Sequence, residues 1–140
     1  MAKIPIKDDL FTRPLEPLDK VRLAGSICRD CGEAFLGKLV GCENCGSQNL
    51  ESAVLSDEGK LYTYTVLYAP LGGDYKGPRD PFVPLGIGLV ELPEGCRVMA
   101  PLMVNDPALL KVDMPMRLIV ETLYIDNKGN EVLSFKFGPK

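Results

Sequence analysis

Two short cysteine units constrain this chain more than any other feature. They are Cys28-Arg29-Asp30-Cys31-Gly32 and Cys42-Glu43-Asn44-Cys45-Gly46, spaced as C-x2-C-x10-C-x2-C. Two thiolates three positions apart can reach one ion. The glycine after the second cysteine accepts the turn that points backbone N–H groups at sulfur. Two such units on facing hairpins complete a tetrahedral four-sulfur site. A shell of four thiolates leaves no position for water, so the site is expected to be structural rather than Lewis-acidic. Zn2+ is the expected ion at Cys28, Cys31, Cys42 and Cys45, with a mononuclear iron site as the redox alternative. A red, iron-containing aerobic preparation would overturn zinc.

The remaining composition limits what else the chain can do. It holds 5 Cys and 0 His in 140 residues. Without histidine it contains no Ser-His-Asp triad, Cys-His pair or histidine general base, and no catalytic residue is assigned. The fifth cysteine, Cys96, has no second base nearby in sequence and reads as a small strand residue. The net charge of −3 and the absence of a basic run argue against a binder of nucleic-acid backbone. The N-terminus lacks the apolar core of a signal peptide, and no apolar run is long enough for a membrane span. A cytoplasmic location is expected, where cysteines are metal ligands more often than disulfides.

Along the chain, three regions are expected. Residues 1–20 form an N-terminal arm. Pro5, Pro14 and Pro17 prevent a long helix, leaving an extended segment or helical turn anchored by Leu10, Phe11, Leu15 and Leu18. Residues 21–52 are the cysteine ribbon. Residues 53–140 are strand-like: 61–68, 82–92, 97–104, 116–125 and 132–137. The first strand alternates Leu61/Thr63/Thr65/Leu67 with Tyr62/Tyr64/Val66/Tyr68. The second sets Val83, Leu85, Ile87 and Leu89 against Pro84, Gly86 and Gly88, a glycine face that marks curvature or close backbone approach. A Gly/Pro-rich loop, 70–81, separates them. A short helix near 105–110, capped by Asn105 or Asp106, lies between the third and fourth strands, and 126–130 is a hairpin loop. Five strands with this helix follow the element order of an OB-fold, a small Greek-key barrel. An SH3-like barrel or a β-sandwich stays open, because strand order does not follow from strand count. A small ribbon beside a larger barrel is expected, rather than one uniform core.

With these residues in view, the chain resembles the DUF35 family, proteins with a rubredoxin-like zinc ribbon followed by an OB-fold. The resemblance rests on the two C-x2-C-G units and on Ser56-Asp57-Glu58-Gly59-Lys60-Leu61-Tyr62-Thr63-Tyr64-Thr65-Val66. It rests also on 81–90, Pro81-Phe82-Val83-Pro84-Leu85-Gly86-Ile87-Gly88-Leu89-Val90, and on 92–98, Leu92-Pro93-Glu94-Gly95-Cys96-Arg97-Val98. It covers nearly the whole chain. One departure is the arm, which lacks the tryptophan often seen before the ribbon.

The resemblance implies a role as a non-catalytic subunit that lies against a thiolase-fold enzyme, supports it and helps enclose a CoA or acyl-CoA site. Within the family the look is that of small subunits of catabolic thiolases, the benzoylsuccinyl-CoA thiolase type. Basic residues near the ribbon or long loop are the candidates for a CoA phosphate contact: Arg29, Lys38, Lys76 and Arg79. The missing histidines are consistent with this role, since a Claisen enzyme needs a nucleophile with acid–base partners. Two other readings stand beside it. An OB-fold with a tyrosine-rich first strand could bind single-stranded nucleic acid, which a salt-sensitive gel shift would reveal. A rubredoxin-like redox protein would need iron.

Overall fold

The structure, a computed structural model, describes residues 2–68 and 83–140. The described residues form nine strands: β1 (Lys3–Pro5), β2 (Ala24–Cys28), β3 (Ala34–Leu36), β4 (Leu50–Val54), β5 (Glu58–Leu67), β6 (Leu85–Glu91), β7 (Arg97–Leu102), β8 (Pro115–Ile125) and β9 (Glu131–Pro139). They form two sheets. β3, β2 and β4 make a small antiparallel sheet. β5 pairs with β6, β6 with β7, β7 with β9, β9 with β8 and β8 with β5, which closes a five-stranded barrel. The one parallel contact in the ring is β7 to β9, at Leu102 and Phe137. This is the OB arrangement, and closure removes the exposed edges that an open sheet would carry.

The five barrel strands fall where the β-branched and aromatic runs placed them, with shifted ends. The second begins at Leu85 rather than residue 82, the third stops at Leu102, and the last extends from Glu131 to Pro139. The expected loop at 70–81 lies outside the described residues. The short helix is a single 3-10 turn, Pro107–Leu109. Asp106 is its N-cap, accepting from the Ala108 amide at 3.0 Å. In the β8–β9 loop the Asp126 carboxylate accepts from the Lys128 and Asn130 amides at 2.9 and 2.8 Å, with Gly129 at φ +82°.

The faces of β5 depart from simple alternation. A bulge between Leu61 and Thr63 moves one residue out of register. Leu61, fully buried, and then Tyr64 and Val66 therefore all turn toward the core, because the extra residue at Tyr62 resets the pleat. Tyr62 is left outside, with the Arg97 guanidinium 3.8 Å from its ring centroid, and Tyr68 is exposed. In β6 the glycine face points inward: Gly86, Gly88 and Val90 are buried, while Leu85, Ile87 and Leu89 are only half-buried. Across the outer surface, Leu89 sits between Thr63 and Met99, and Ile87 between Thr65 and Pro101.

The arm belongs to the fold. β1 runs parallel to β9, and the Ile6 amide donates to the Leu133 carbonyl at 2.8 Å. A 3-10 turn spans Leu18–Lys20, and Phe11 bridges Leu23. Leu10, Phe11 and Leu15 are buried, and Phe11 meets Phe135 edge-to-face at 6.3 Å. One buried cluster joins these anchors to Val21 and Leu23 before the small sheet, Leu55 after it, and Leu61, Val98, Met116 and Phe137 in the barrel. That cluster therefore includes residues of both the small sheet and the barrel. Val21, Leu23 and Leu55 flank the small sheet and leave it rooted in barrel side chains.

Where the chain passes from the small sheet to the barrel, Ser56 donates to the Glu94 carboxylate through its hydroxyl at 2.7 Å and its amide at 3.2 Å. Partial burial pushes the Glu94 carboxyl up. The Ser56 hydroxyl and amide outweigh that effect and hold it below its ordinary value of 4.5. A carboxyl depressed on folding stabilises the fold above its unfolded pKa, and that contribution is lost as pH falls through the folded value. Glu94→Gln is expected to lower stability at pH 7 by about 1 kcal/mol, the usual scale for hydrogen bonds to a half-exposed charge. Thermal unfolding should show the gap between the two proteins closing below pH 4.5.

Candidate metal centre

Two equivalent knuckles carry the four cysteines. In the first, Cys28 closes β2, its amide donates to the Glu33 carbonyl at 2.9 Å, and the Gly32 amide donates back to the Cys28 carbonyl at 2.9 Å. In the second, fourteen positions on, the Cys42 amide donates to Ser47 at 2.7 Å and Gly46 to Cys42 at 2.9 Å. Gly32 and Gly46 hold φ of +81° and +79°, the left-handed conformation that C-x2-C-G needs at its last position. The Arg29 amide bonds to Asn49 at 2.9 Å, so the second knuckle is held against the end of β2.

This folding brings all four sulfurs within 4.8 Å of one another. Cys28 lies 3.6 Å from Cys45, and Cys31 lies 3.6 Å from Cys42. A tetrahedral ion with metal–sulfur bonds of about 2.3 Å requires sulfurs about 3.8 Å apart, so the cluster has the right size for one metal ion. Cys28 and Cys42 are buried, and Cys31 and Cys45 face outward. The thiols do not ionise alike. Cys28 is lowered to about 7, chiefly by the Cys31 amide at its sulfur, with help from the Asp30 amide. At Cys45 the Ser47 amide favours the thiolate, but desolvation and the sulfurs of Cys28, Cys42 and Cys31 prevail and raise it to about 12. Four thiolates this close repel one another, and a divalent cation relieves that repulsion.

Several supporting groups were not foreseen from sequence. The Cys45 amide donates to the Cys42 sulfur at 3.4 Å, and the Asn44 side-chain amide donates to Cys31 at 3.6 Å. The Ser47 hydroxyl donates to the Asp30 carboxylate, tying one knuckle to the other. Ser26, buried, donates to the Gly37 carbonyl at 2.7 Å and accepts from the Leu39 amide at 3.2 Å, which braces the hairpin that carries the second knuckle. The signal for Asn44 and Ser47 was their place beside a cysteine inside or just after a C-x2-C-G unit.

Of the basic residues singled out for phosphate contact, the two described ones, Arg29 and Lys38, lie apart. Arg29 follows β2 at its Cys28 end and pairs with Glu51 at 3.4 Å. Lys38 lies beyond the opposite end of β2, lining a shallow depression with Asp9 and Ser52. Lys76 and Arg79 lie outside the described residues. Cys96 is buried in the core cluster, and burial, with the Glu94 charge next, pushes its thiol up, which makes it a poor nucleophile. Among the described residues no helix is long and apolar enough to cross a membrane.

A two-knuckle cysteine ribbon rooted in a closed OB-type barrel defines the class of protein. A family profile described as "ChsH2, C-terminal OB-fold domain" matches residues 53–121. The benzoylsuccinyl-CoA thiolase subunit BbsA of Thauera aromatica is 30% identical over 82% of this chain and 74% of its own length. A DUF35 domain-containing scaffold protein of Pyrococcus furiosus is 31% identical over 86% of this chain and 85% of its own. Among solved structures, a chain of the Ltp2-ChsH2(DUF35) aldolase superposes with a TM-score of 0.60 at 26% identity, covering 84% of each chain. The chain belongs to the DUF35 family. The relatives support a thiolase-associated subunit.

Proposed function

We propose that this chain is a non-catalytic, zinc-binding subunit that docks on a thiolase-fold enzyme, supports it and helps form its CoA or acyl-CoA site. The observation that carries the reading is the near full-length match to relatives named as a thiolase subunit and as part of a two-protein aldolase. The chain's own chemistry agrees. It has 0 His, and Cys96 is buried with a raised pKa, so the nucleophile and base of a Claisen reaction would come from the partner. Cys28, Cys31, Cys42 and Cys45 would hold Zn2+ as a structural clamp. The narrower setting is catabolic acyl-CoA thiolysis, with aromatic compounds as one source of substrate. Arg29, Lys38, Lys76 and Arg79 remain the candidates for contact with CoA phosphates. The acidic balance of −3 weighs against nucleic acid as the ligand.

Co-expression with thiolase-fold proteins of the same organism, those encoded nearest first, tests the reading. The two chains are expected to co-purify, and thiolase activity is expected to fall at least tenfold when this chain is omitted. Failure to co-purify, or full activity without it, would sink the proposal.

A further inference from the structure

The two outer faces of the barrel differ in chemistry. On β8 and β9 the outer face is mixed: Lys136 pairs with Glu121 at 3.0 Å, while Leu123 and Ile125 of β8 are exposed. On β5, β6 and β7 the described residues of the outer face carry no charge over three successive rows, from the Thr63 row to the Leu67 row. Leu89 and Met99 share one row, Ile87 and Pro101 the next, and Leu67 and Leu85 the third. Met99 is 68% exposed. The interior is not short of these side chains, because glycines alternate with them and face inward beneath Leu61 and Leu102. A charged row, Lys60, Glu91 and Arg97, borders the apolar rows at one end. There Arg97 is fixed by Glu91 at 3.0 Å and stacks on Tyr62. Apolar centre and polar, aromatic rim together are the anatomy of a protein interface.

We propose that this face of β5, β6 and β7 is where the thiolase-fold partner sits, an inference that rests on the function proposed above. Area decides between that partner and a second copy of the chain. Three strands spaced about 4.8 Å apart and three rows about 6.8 Å apart span about 300 Å². A symmetric pair through this patch would bury about 600 Å² in total, short of the roughly 1,000 Å² a stable interface needs. The outside of a closed barrel is also convex, so two copies would meet over even less. A larger partner can cover the apolar rows and continue over the Lys60–Glu91–Arg97 rim.

Pull-downs with the partner, using wild type, Met99→Glu, Ile87→Glu and the opposite-face control Lys136→Ala, test the assignment. Hydrogen exchange of the wild-type complex is measured alongside. Wild type and Lys136→Ala are expected to bind. Met99→Glu and Ile87→Glu are expected to bind at least tenfold more weakly, with β5–β7 amides gaining protection in the complex. Met99 is exposed enough that its variant folds, so it decides the matter should Ile87→Glu misfold. Wild-type binding with undiminished Met99→Glu binding, or without protection of β5–β7, overturns the face and leaves the proposed function standing. No binding by wild type removes both. A lone-chain dimer that Met99→Glu dissociates would assign the face to a second copy and overturn the proposal.

Discussion

Replacing Cys28 by serine is expected to cost the chain its metal and the order of residues 25–54. The reason is how little else holds this region. Its strands are 5, 3 and 5 residues long, and β4 is largely exposed. Of the knuckle residues themselves, only the ligands Cys28 and Cys42 are buried. Strands this short are not stable alone. In small metal-stapled units, ion binding is folding free energy, on the order of 10–16 kcal/mol for structural zinc. Cys28 and Cys42 are buried at 1% and 5% exposure, so serine there loses both a ligand and packing. At Cys31 and Cys45, which face outward, only the ligand is lost. The expected order of damage is Cys28→Ser and Cys42→Ser above Cys31→Ser and Cys45→Ser. Elemental analysis should find one zinc per wild-type chain and substoichiometric metal in all four variants. Hydrogen exchange should show 25–54 losing protection while β8 and β9, which share the longest ladder, keep theirs. A wild-type protein that carries no metal and retains full protection of 25–54 after chelation would refute the clamp.

How much of this was legible beforehand depended on how local the cause was. The C-x2-C-G units encode their own knuckles, so the four-sulfur cluster could be read from spacing alone. The barrel strands followed from β-branched runs, and Asp106 and the 126–130 loop from local turn chemistry. What sequence could not give was set by distant contacts. The β5 bulge exists because Leu61 must pair with Val90 while Thr63 pairs with Leu89, and nothing within Leu61-Tyr62-Thr63 announces it. The pairing of β1 with β9 joins residues 128 positions apart, Lys3 with Glu131. The arm's apolar anchors were visible, but not that Phe11 would lie on Phe135. The continuity of the core was hidden for the same reason. Leu23 and Leu55 bracket the ribbon in sequence and meet through a backbone bond of 2.9 Å, which draws the ribbon's base into the barrel's interior. Arg29 and Lys38 lie toward opposite ends of β2, because charge in sequence says nothing of which end of a strand it occupies.

The glycines of β6 were the clearest sequence mark of close packing, and alanine in their place is expected to destabilise the barrel. A Cβ on Gly86 would collide with the backbone carbonyl of Val104 and approach the Leu102 Cβ to 3.3 Å. A Cβ on Gly88 would meet Leu61 Cδ1 at 2.7 Å and the Leu102 methyls at 3.1 and 3.2 Å. The two sites differ in what must move. At Gly88 the obstacles are side-chain ends, though Leu61 and Leu102 are held at 0% and 5% exposure. At Gly86 the obstacle is backbone just past the end of β7, next to Met103, whose amide donates to the Phe137 carbonyl at 2.8 Å. Relieving it displaces the β7–β9 junction that closes the barrel. Overpacking of a tight core costs about 1–3 kcal/mol, and Gly86→Ala is expected at or above the top of that range, with Gly88→Ala in the middle. For a chain of this size the larger value corresponds to roughly 10 °C in Tm. Gly129→Ala is the control. Nothing lies within 4 Å of its added Cβ, and only its φ of +82° is unfavourable, so its loss should be about 1 kcal/mol. If Gly86→Ala proved no worse than Gly129→Ala in thermal or urea unfolding, the close approach of β6 to Val104 would not be what closes the barrel. The expected ranking instead makes the inward glycines the reason that Leu85, Ile87 and Leu89 are left on the outside. A strand that must be narrow within has only its outer face for apolar side chains, and that is the face a partner can use.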